Sequence, residues 1–356
     1  MEEAVSEMRL QVGSRTVSND GPPFVIAEIG VNHDGDMAVA RQLVQAAKSA
    51  GAHAVKFQLF EAKMLLATEA GLVEYQKSAA GSAGELLQGL ELSAPQMKEL
   101  VALAHSLGLV AITTPFSPQL VEAAVSTGID AIKLASPDLV NRPLVEAAMA
   151  AGLPLILSTG AATMEEIERT LLWLGPAADR TIFLHCVSSY PTPPEHAALG
   201  AIGAMRSRWP GMRVGYSDHT IQTVTGGLAV AAGACVLEKH LTLDKRRKGP
   251  DHAASLEPDE FRAYVEQARA ASAMRGAMQK HPSPIELEVR MQARQSVVAA
   301  RPLAANDFIG PDDITVKRPG TGIPAAEFSA VIGRRLARAV AANALLHWTD
   351  LAGGQP

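Results

Sequence analysis

Eight short apolar runs recur along the first two-thirds of the chain, each followed by a stretch of helical character. They are FVIAEIG (24–30), AVKFQL (54–59), LVAITT (109–114) and AIKLA (131–135), then PLILST (154–159), TIFLH (181–185), MRVGYS (212–217) and CVLEKH (235–240). Continuously apolar strands alternating with helices are what a parallel sheet covered by helices requires. The helical stretches carry start and stop signals. Asp36 can cap a helix with Val39, Leu43 and Ala47 on its apolar face, and Ser93-Ala94-Pro95 opens another with Leu100, Leu103 and Leu107. Thr163, three residues before Glu166, reads as a capping box ahead of Ile167 and Leu171. Gly51, Gly108, Gly128, Gly152 and Gly233 punctuate the passage from helix to next strand. Eight such units predict a closed (β/α)8 TIM barrel, whose usual size is roughly 250 residues. An open doubly wound sheet is the alternative, but it would usually carry a Gly-rich turn after its first strand, and IGVNHDG is not one.

Helical character over 261–278 gives way to a proline-punctuated tail with Pro282, Pro284, Pro302, Pro311, Pro319 and Pro324 and short β-rich runs. The expected organisation is an N-terminal extension (1–22), a barrel (23–275), a linker (276–295) and a small β-rich domain (296–356).

Composition narrows the class. Of 356 residues, 47% are hydrophobic and 19% charged, enough apolar content for a large core and too much for disorder. The net charge of −5 argues against a protein built to coat nucleic acid. Two cysteines, Cys186 and Cys235, cannot form a disulfide framework and fit a reducing cytosol. The leader MEEAVSEMRL is acidic and lacks an apolar core, so no signal peptide is expected. No apolar run reaches the roughly 18 residues of a membrane span. A cytoplasmic protein is the expectation.

Polar residues inside the apolar runs gather at one end. Glu28, Lys56, Gln58, Thr114, Lys133, Ser158, His185, Ser217, Glu238 and His240 lie at or near strand C-termini. In a barrel those ends converge on the face where active sites sit. Lys56 and Lys133 lie within strands, where a charge needs a partner. They read either as buried ion pairs, with Glu28 or Glu238, or as an anion site completed by Ser136, Ser158 and Ser217; a Schiff-base lysine is a third reading. His219 and His240 follow the seventh and eighth strands, and such an imidazole pair suits a divalent metal. His185 reads as structural, and His33 in VNHDG is ambiguous. Asp251, after the eighth strand, would hang over the same face and suits general acid/base work.

These motifs also occur in a recognisable order: AEIGVNHDGD, VKFQ, TPF, KLASPD, LSTGAATMEEI, LHCVSSYPTP, GYSDHT, EKHLTLD, GPDHAASLEP and VKRPGTGI. The chain resembles the N-acetylneuraminate (sialic acid) synthase family from about residue 24 to 332, and its tail resembles that family's SAF (antifreeze-like) domain, a small β-clip. The resemblance implies a barrel that condenses phosphoenolpyruvate with an N-acylated hexosamine, such as N-acetylmannosamine or a di-N-acylated analogue, to give a nonulosonic acid and phosphate. It assigns phosphoenolpyruvate binding to Lys56, Lys133, Thr114, Ser136, Ser158 and Ser217, and metal binding, usually of Mn2+ with Mg2+ or Co2+ as alternatives, to His219 and His240. Glu28, Gln58, Asp138, Tyr190 and Asp251 match positions near the sugar or reacting centre. Glu28, Glu238, Asp251 and Lys56 are the candidates for catalysis. Arg318 matches an SAF-domain arginine that reaches the partner subunit's site and binds the N-acyl group, implying a domain-swapped homodimer.

Three departures bear on the sugar. Ser136-Pro137-Asp138 stands where the family commonly has Ser-Gly-Glu or Ser-Gly-Asp, and proline fixes φ and can re-aim Asp138. Ser188 stands where some members have an asparagine two residues before the tyrosine, and segment 79–89 carries no asparagine. Legionaminic- and pseudaminic-acid-type synthases share the framework. The enzymatic rivals are another phosphoenolpyruvate-dependent 3-deoxy sugar acid synthase or a class II aldolase, which lack the KRPGTG tail.

Overall fold

The computed structural model describes residues 9–65, 83–276 and 280–354. The chain divides into two compact units, 1–277 and 278–356. In the first unit, an antiparallel hairpin of β1 (Leu10–Val12) and β2 (Arg15–Val17) precedes eight parallel strands. These are β3 (Phe24–Gly30), β4 (Ala54–Leu59), β5 (Val110–Pro115), β6 (Ala131–Leu134), β7 (Leu155–Ser158), β8 (Thr181–Cys186), β9 (Arg213–Asp218) and β10 (Val236–His240). They pair in sequence order, and β10 returns to β3 to close the barrel. Two strands have the bounds expected from the apolar pattern, and the other six shift by one residue at one or both ends.

Strand alternation sorts the apolar residues into two layers. Side chains such as Val25, Ala27, Phe57, Ile132, Leu157, Phe183 and Leu237 face outward and pack under the helices. Phe24, Ile26, Ala54, Ile112, Ala131, Ile156, Ile182 and Val236 face inward at the N-terminal end, where Leu10, Val12 and Val17 of the hairpin join the same cluster. The described part of the segment expected as an extension is therefore built into the barrel floor. Each buried aliphatic side chain there contributes roughly 1.5–3 kcal/mol.

The helix signals act as the pattern suggests. Asp36 accepts from Ala38 N at 2.7 Å to cap helix Met37–Ser49, and Thr163 and Glu166 form a reciprocal box at the start of helix Met164–Leu174. The five expected helix-stop glycines all have φ between 70° and 108°, a region open to glycine at little cost.

In the second unit, β11 (Ser296–Ala299) pairs antiparallel with β12 (Ile314–Lys317). Isolated bridges extend the β-structure around a core that includes Val297, Leu303, Ile314, Ile323, Leu336 and Leu346. The stretch expected as a linker carries a short helix, Leu287–Ala293. Among the described residues, no helix is long and apolar enough to cross a membrane.

Candidate active site

At the C-terminal half of each barrel strand the inward positions change from apolar to polar. Glu28, Lys56, Gln58, Thr114, Lys133, Ser158, Cys186, Ser217, Glu238 and His240 occupy them, buried or nearly so. Above them lies a cavity of about 310 Å3. Its lining includes Lys56, Gln58, Thr114, Lys133, Ser136, Ser158, Tyr190, Ser217, His219, Glu238, His240 and Asp251.

Both readings of the lysines are realised at once. Lys56 Nζ lies 2.5 Å from Glu28 Oε2 and 3.7 Å from Glu238 Oε2, and it donates to Thr114 at 3.3 Å. Lys133 Nζ lies 3.7 Å from Glu238 Oε1 and donates to the Leu134 carbonyl at 3.1 Å. Ser217 donates to Glu238 at 2.9 Å and Gln58 to Glu28 at 3.2 Å. A side chain at Gly30 would strike Glu28 and Gln58, so the absence of a Cβ there leaves room for their contact. Burial favours the neutral form of every group in this cluster, and neighbours decide who keeps a charge. Burial pulls Lys56 down, but Glu238 and Glu28 more than reverse this, so its net shift is upward. Glu238 is resisted by burial and drawn down overall by Lys133 and Lys56. Burial prevails at Glu28, whose carboxyl is pushed up, and at Lys133, whose ammonium is pushed down. Lys133 is thus the cation that a bound anion would stabilise most. The buried Ser158 hydroxyl has no hydrogen-bond partner although it lines the cavity. Buried polar groups are seldom left so, and an orphan donor facing a cavity is suited to a ligand.

In the same cavity lining, His219 and His240 lie with ring centroids 5.4 Å apart, and the Tyr190 ring lies 3.9 Å from that of His219. His219 Nδ1 is 2.9 Å from the Val187 carbonyl. A carbonyl only accepts, so Nδ1 carries a proton and Nε2 is the atom left for a ligand; burial pulls the ring's pKa down, but Cys186 and the Val187 carbonyl more than reverse this. Burial, with the charges of His219 and Lys56 added, holds His240 well below its ordinary value and therefore neutral. The pair fits two ligands of a divalent cation. Among the described residues, no group of three or more His, Cys, Asp or Glu side chains is arranged to hold a metal, so remaining positions would fall to substrate or water. Asp251 Oδ2 is 3.4 Å from His240 Nδ1, and burial, followed by Glu28, pushes its carboxyl up to about 6.

Several expected residues lie elsewhere. Glu28 is wholly buried and absent from the cavity lining; it lies against Lys56 and Gln58. Asp138 is also absent from the lining. It sits in the 3-10 turn Ser136–Val140 that contains Pro137, where it accepts from Asn141, while burial raises its pKa. His185 faces outward, bonded to the Ala197 carbonyl and stacked on Tyr216; Cys186 takes the inward place, 3.7 Å from His219. Arg318 is exposed, one residue past β12 in the second unit.

Three features escaped sequence reasoning. Cys186 follows from alternation with Ile182 and Leu184, a signal that was available. Lys239 and Asp218, 3.2 Å apart and wholly buried, face outward behind the histidines; Lys239 also donates to the Thr220 carbonyl, tying together the residues adjoining His219 and His240. One wall of the cavity is apolar: Val31, Phe60, Leu65, Leu86, Leu87, Leu90 and Phe116, with Phe60 and Phe116 edge to face at 5.9 Å. Most of this wall belongs to the connection between β4 and helix Ala94–Ser106, which lacks any long periodic pattern. Of segment 79–89, residues 79–82 lie outside the described residues, while Leu86 and Leu87 come from its short helix Ala83–Gln88.

A closed parallel barrel that gathers cations, hydroxyls and imidazoles into one cavity at its strand ends defines a class, the (β/α)8 barrel with its candidate active site at the C-terminal face. Residues 43–280 match the model of the NeuB family and residues 294–352 that of the SAF domain, and the chain belongs to the NeuB family. It is 38% identical to the N,N'-diacetyllegionaminic acid synthase of Legionella pneumophila over 92% of this chain and 94% of that protein. It is 34% identical to the N-acetylneuraminate-9-phosphate synthase of Mus musculus over 85% of each chain. The crystal structure of the N-acetylneuraminic acid (sialic acid) synthetase of Leptospira borgpetersenii superposes with a TM-score of 0.73 at 31% identity, covering 79% of this chain and 94% of that one.

Proposed function

We propose that the protein is a nonulosonic acid synthase that condenses phosphoenolpyruvate with an N-acylated hexosamine and water, releasing phosphate. The observation that carries this reading is the convergence of Lys56, Lys133, Thr114, Ser217 and the orphan Ser158 hydroxyl on one cavity that also presents two imidazoles. The cations and hydroxyls suit phosphate and carboxylate oxygens. When bound by His219 and His240, a divalent cation such as Mn2+ would supply Lewis acidity to the sugar's open-chain aldehyde.

In this reading the enol carbon of phosphoenolpyruvate attacks the aldehyde carbon, and the new alkoxide takes a proton. Positive character then develops at the phosphate-bearing carbon. Glu238, which lines the cavity, is the carboxylate placed to stabilise it, while buried Glu28 holds the Lys56 side chain in place. Water adds to that carbon and loses a proton, and the tetrahedral adduct expels phosphate by C–O cleavage to leave the keto acid. Asp251, with its raised pKa, is the group suited to exchange these protons. Ser136 and Gln58 orient the substrates, and Tyr190 bounds the sugar site against His219. Completion by the partner subunit's Arg318, in a domain-swapped homodimer, belongs to the same proposal.

The apolar wall favours one sugar class. A 6-deoxy hexose bearing two acetamido groups can set its methyl groups against Phe60, Leu87 and Phe116, whereas a 6-phosphate there would lose its hydration without a partner. Phosphate release with a panel of sugars tests this. A 2,4-diacetamido-2,4,6-trideoxy hexose is expected to give a kcat/KM at least about 10-fold above that of N-acetylmannosamine, the scale of one or two methyl-sized apolar contacts. Equal or better turnover of N-acetylmannosamine or its 6-phosphate would remove that assignment.

A further inference from the structure

We propose that the VNHDG turn after β3 is a clamp that positions the loop carrying Asp251 over the cavity, and that Asp34 and His252 are its positioning residues. The inference rests on the functional reading above only for its kinetic consequence. The loop between β10 and helix Pro258–Arg275 leaves and returns at one point, where Thr242 N bonds the Leu256 carbonyl at 3.0 Å and Leu256 N the His240 carbonyl at 2.9 Å. Between those anchors, the excursion is held largely by side chains. His252 is wholly buried; its Nε2 donates to Asp34 Oδ1 at 2.9 Å and its Nδ1 pairs with the Thr242 hydroxyl at 2.7 Å. Arg247, from the same loop, grips the other oxygen of Asp34 with Nε at 2.9 Å and Nη2 at 2.7 Å.

A second tether starts two residues earlier. The buried Asn32 amide donates to the Leu241 carbonyl at 3.0 Å and to Ser255 Oγ at 2.8 Å, and Ser255 donates in turn to the Asp251 carbonyl at 2.7 Å. Asn32 and Asp34 thus hold the loop from both sides of Asp251. Asp34 does so with φ at 52°, a left-handed conformation that few non-glycine residues adopt. His33 serves the turn itself, its Nδ1 accepting from Gly35 N at 3.0 Å.

Thr242, His252 and Asp34 have the order of a nucleophile relay, but Thr242 and His252 are fully buried and none of the three lines the cavity. No substrate atom reaches that hydroxyl. What the network can transmit is position: it fixes the backbone on both sides of Asp251 while the carboxylate faces the cavity.

Hydrogen exchange by mass spectrometry and steady-state kinetics, on the same preparations of the full chain, test the clamp. In Asp34→Asn the amide nitrogen cannot accept from Arg247. Exchange across 241–256 should accelerate by about 10-fold or more, the signature of local opening, with β4 and β6 still protected. The kcat should fall about 10- to 100-fold, the scale of a misplaced catalytic group, while the KM for phosphoenolpyruvate stays within about threefold, and Asp34→Glu should recover part of the loss. Arg247→Gln, at the more exposed arm, should show the same pattern more weakly even if Asp34→Asn folds poorly. Wild-type exchange in 241–256 for both variants, or acceleration spread evenly over the barrel, overturns the clamp. So does faster loop exchange with unchanged kcat in a chain that turns over. A wild-type chain inactive with every sugar overturns the functional reading instead, and the exchange pattern alone then decides the clamp.

Discussion

Replacing Lys133 with methionine is expected to raise the KM for phosphoenolpyruvate by about 100-fold or more, the scale of one lost charge-assisted contact to an anion in a buried site. Lys133 is wholly buried, and its charge is supported chiefly by Glu238 at 3.7 Å. The substitution removes a phosphate partner and also leaves Glu238 to Lys56 alone, so kcat should fall too. Lys133→Arg is not expected to rescue, since a planar fork cannot replace a compact ammonium among Ser217, Glu238 and the Leu134 carbonyl. Initial rates of phosphate release against phosphoenolpyruvate concentration measure the effect, with thermal unfolding as the control for folding. A Lys133→Met chain with wild-type KM would place the anion elsewhere.

The second large effect concerns the imidazole pair. His219→Ala should weaken Mn2+ binding by more than the roughly 10–100-fold that loss of an outer-shell partner costs, and turnover should fall with it. Paramagnetic resonance of free Mn2+ reads the binding directly, without an assay of product. His185→Ala is the matched control, because that ring faces away from the cavity and bonds the Ala197 carbonyl. Equal Mn2+ affinity in wild type and His219→Ala would remove the imidazole from the metal site.

The barrel was legible because each strand is a continuous apolar run, and because Asp36, Thr163 and the helix-stop glycines mark where the intervening helices begin and end. The site was legible where a polar residue interrupts such a run, as at Lys56, Lys133, Ser217 and Glu238. Parity along the strand sharpens that signal: the inward series Ile182, Leu184 and Cys186 excludes His185, which proximity to the strand end alone does not. Asp138 illustrates a different limit. Its position in the chain matches a sugar contact, but the turn containing Pro137 leaves it bonded to Asn141 outside the cavity lining. The apolar wall and the Asp34–His252 clamp left no local trace. The wall comes mostly from one connection without a long periodic pattern, and a hydrogen bond between residues 34 and 252 has no periodicity to read.

The net charge of −5 and the anion-binding reading do not conflict, because the relevant charge is local. Within the barrel mouth the two lysines and two glutamates nearly cancel. Burial pushes both Glu28 and Lys133 toward their neutral forms, while Lys56 and Glu238 keep their charges. A bound anion would restore the charge on Lys133, and together with the orphan Ser158 hydroxyl this is what suits the site to a substrate bearing phosphate and carboxylate at one end.

The most direct test of the central claim follows the oxygen that bridges carbon and phosphorus in phosphoenolpyruvate. With that oxygen labelled as oxygen-18, the full chain, Mn2+ and an N-acylated hexosamine should yield phosphate and nonulosonic acid in equal amounts, with the label in the phosphate. Label retained in the keto acid would contradict C–O cleavage. Phosphate release without any sugar-derived keto acid would contradict the synthase itself.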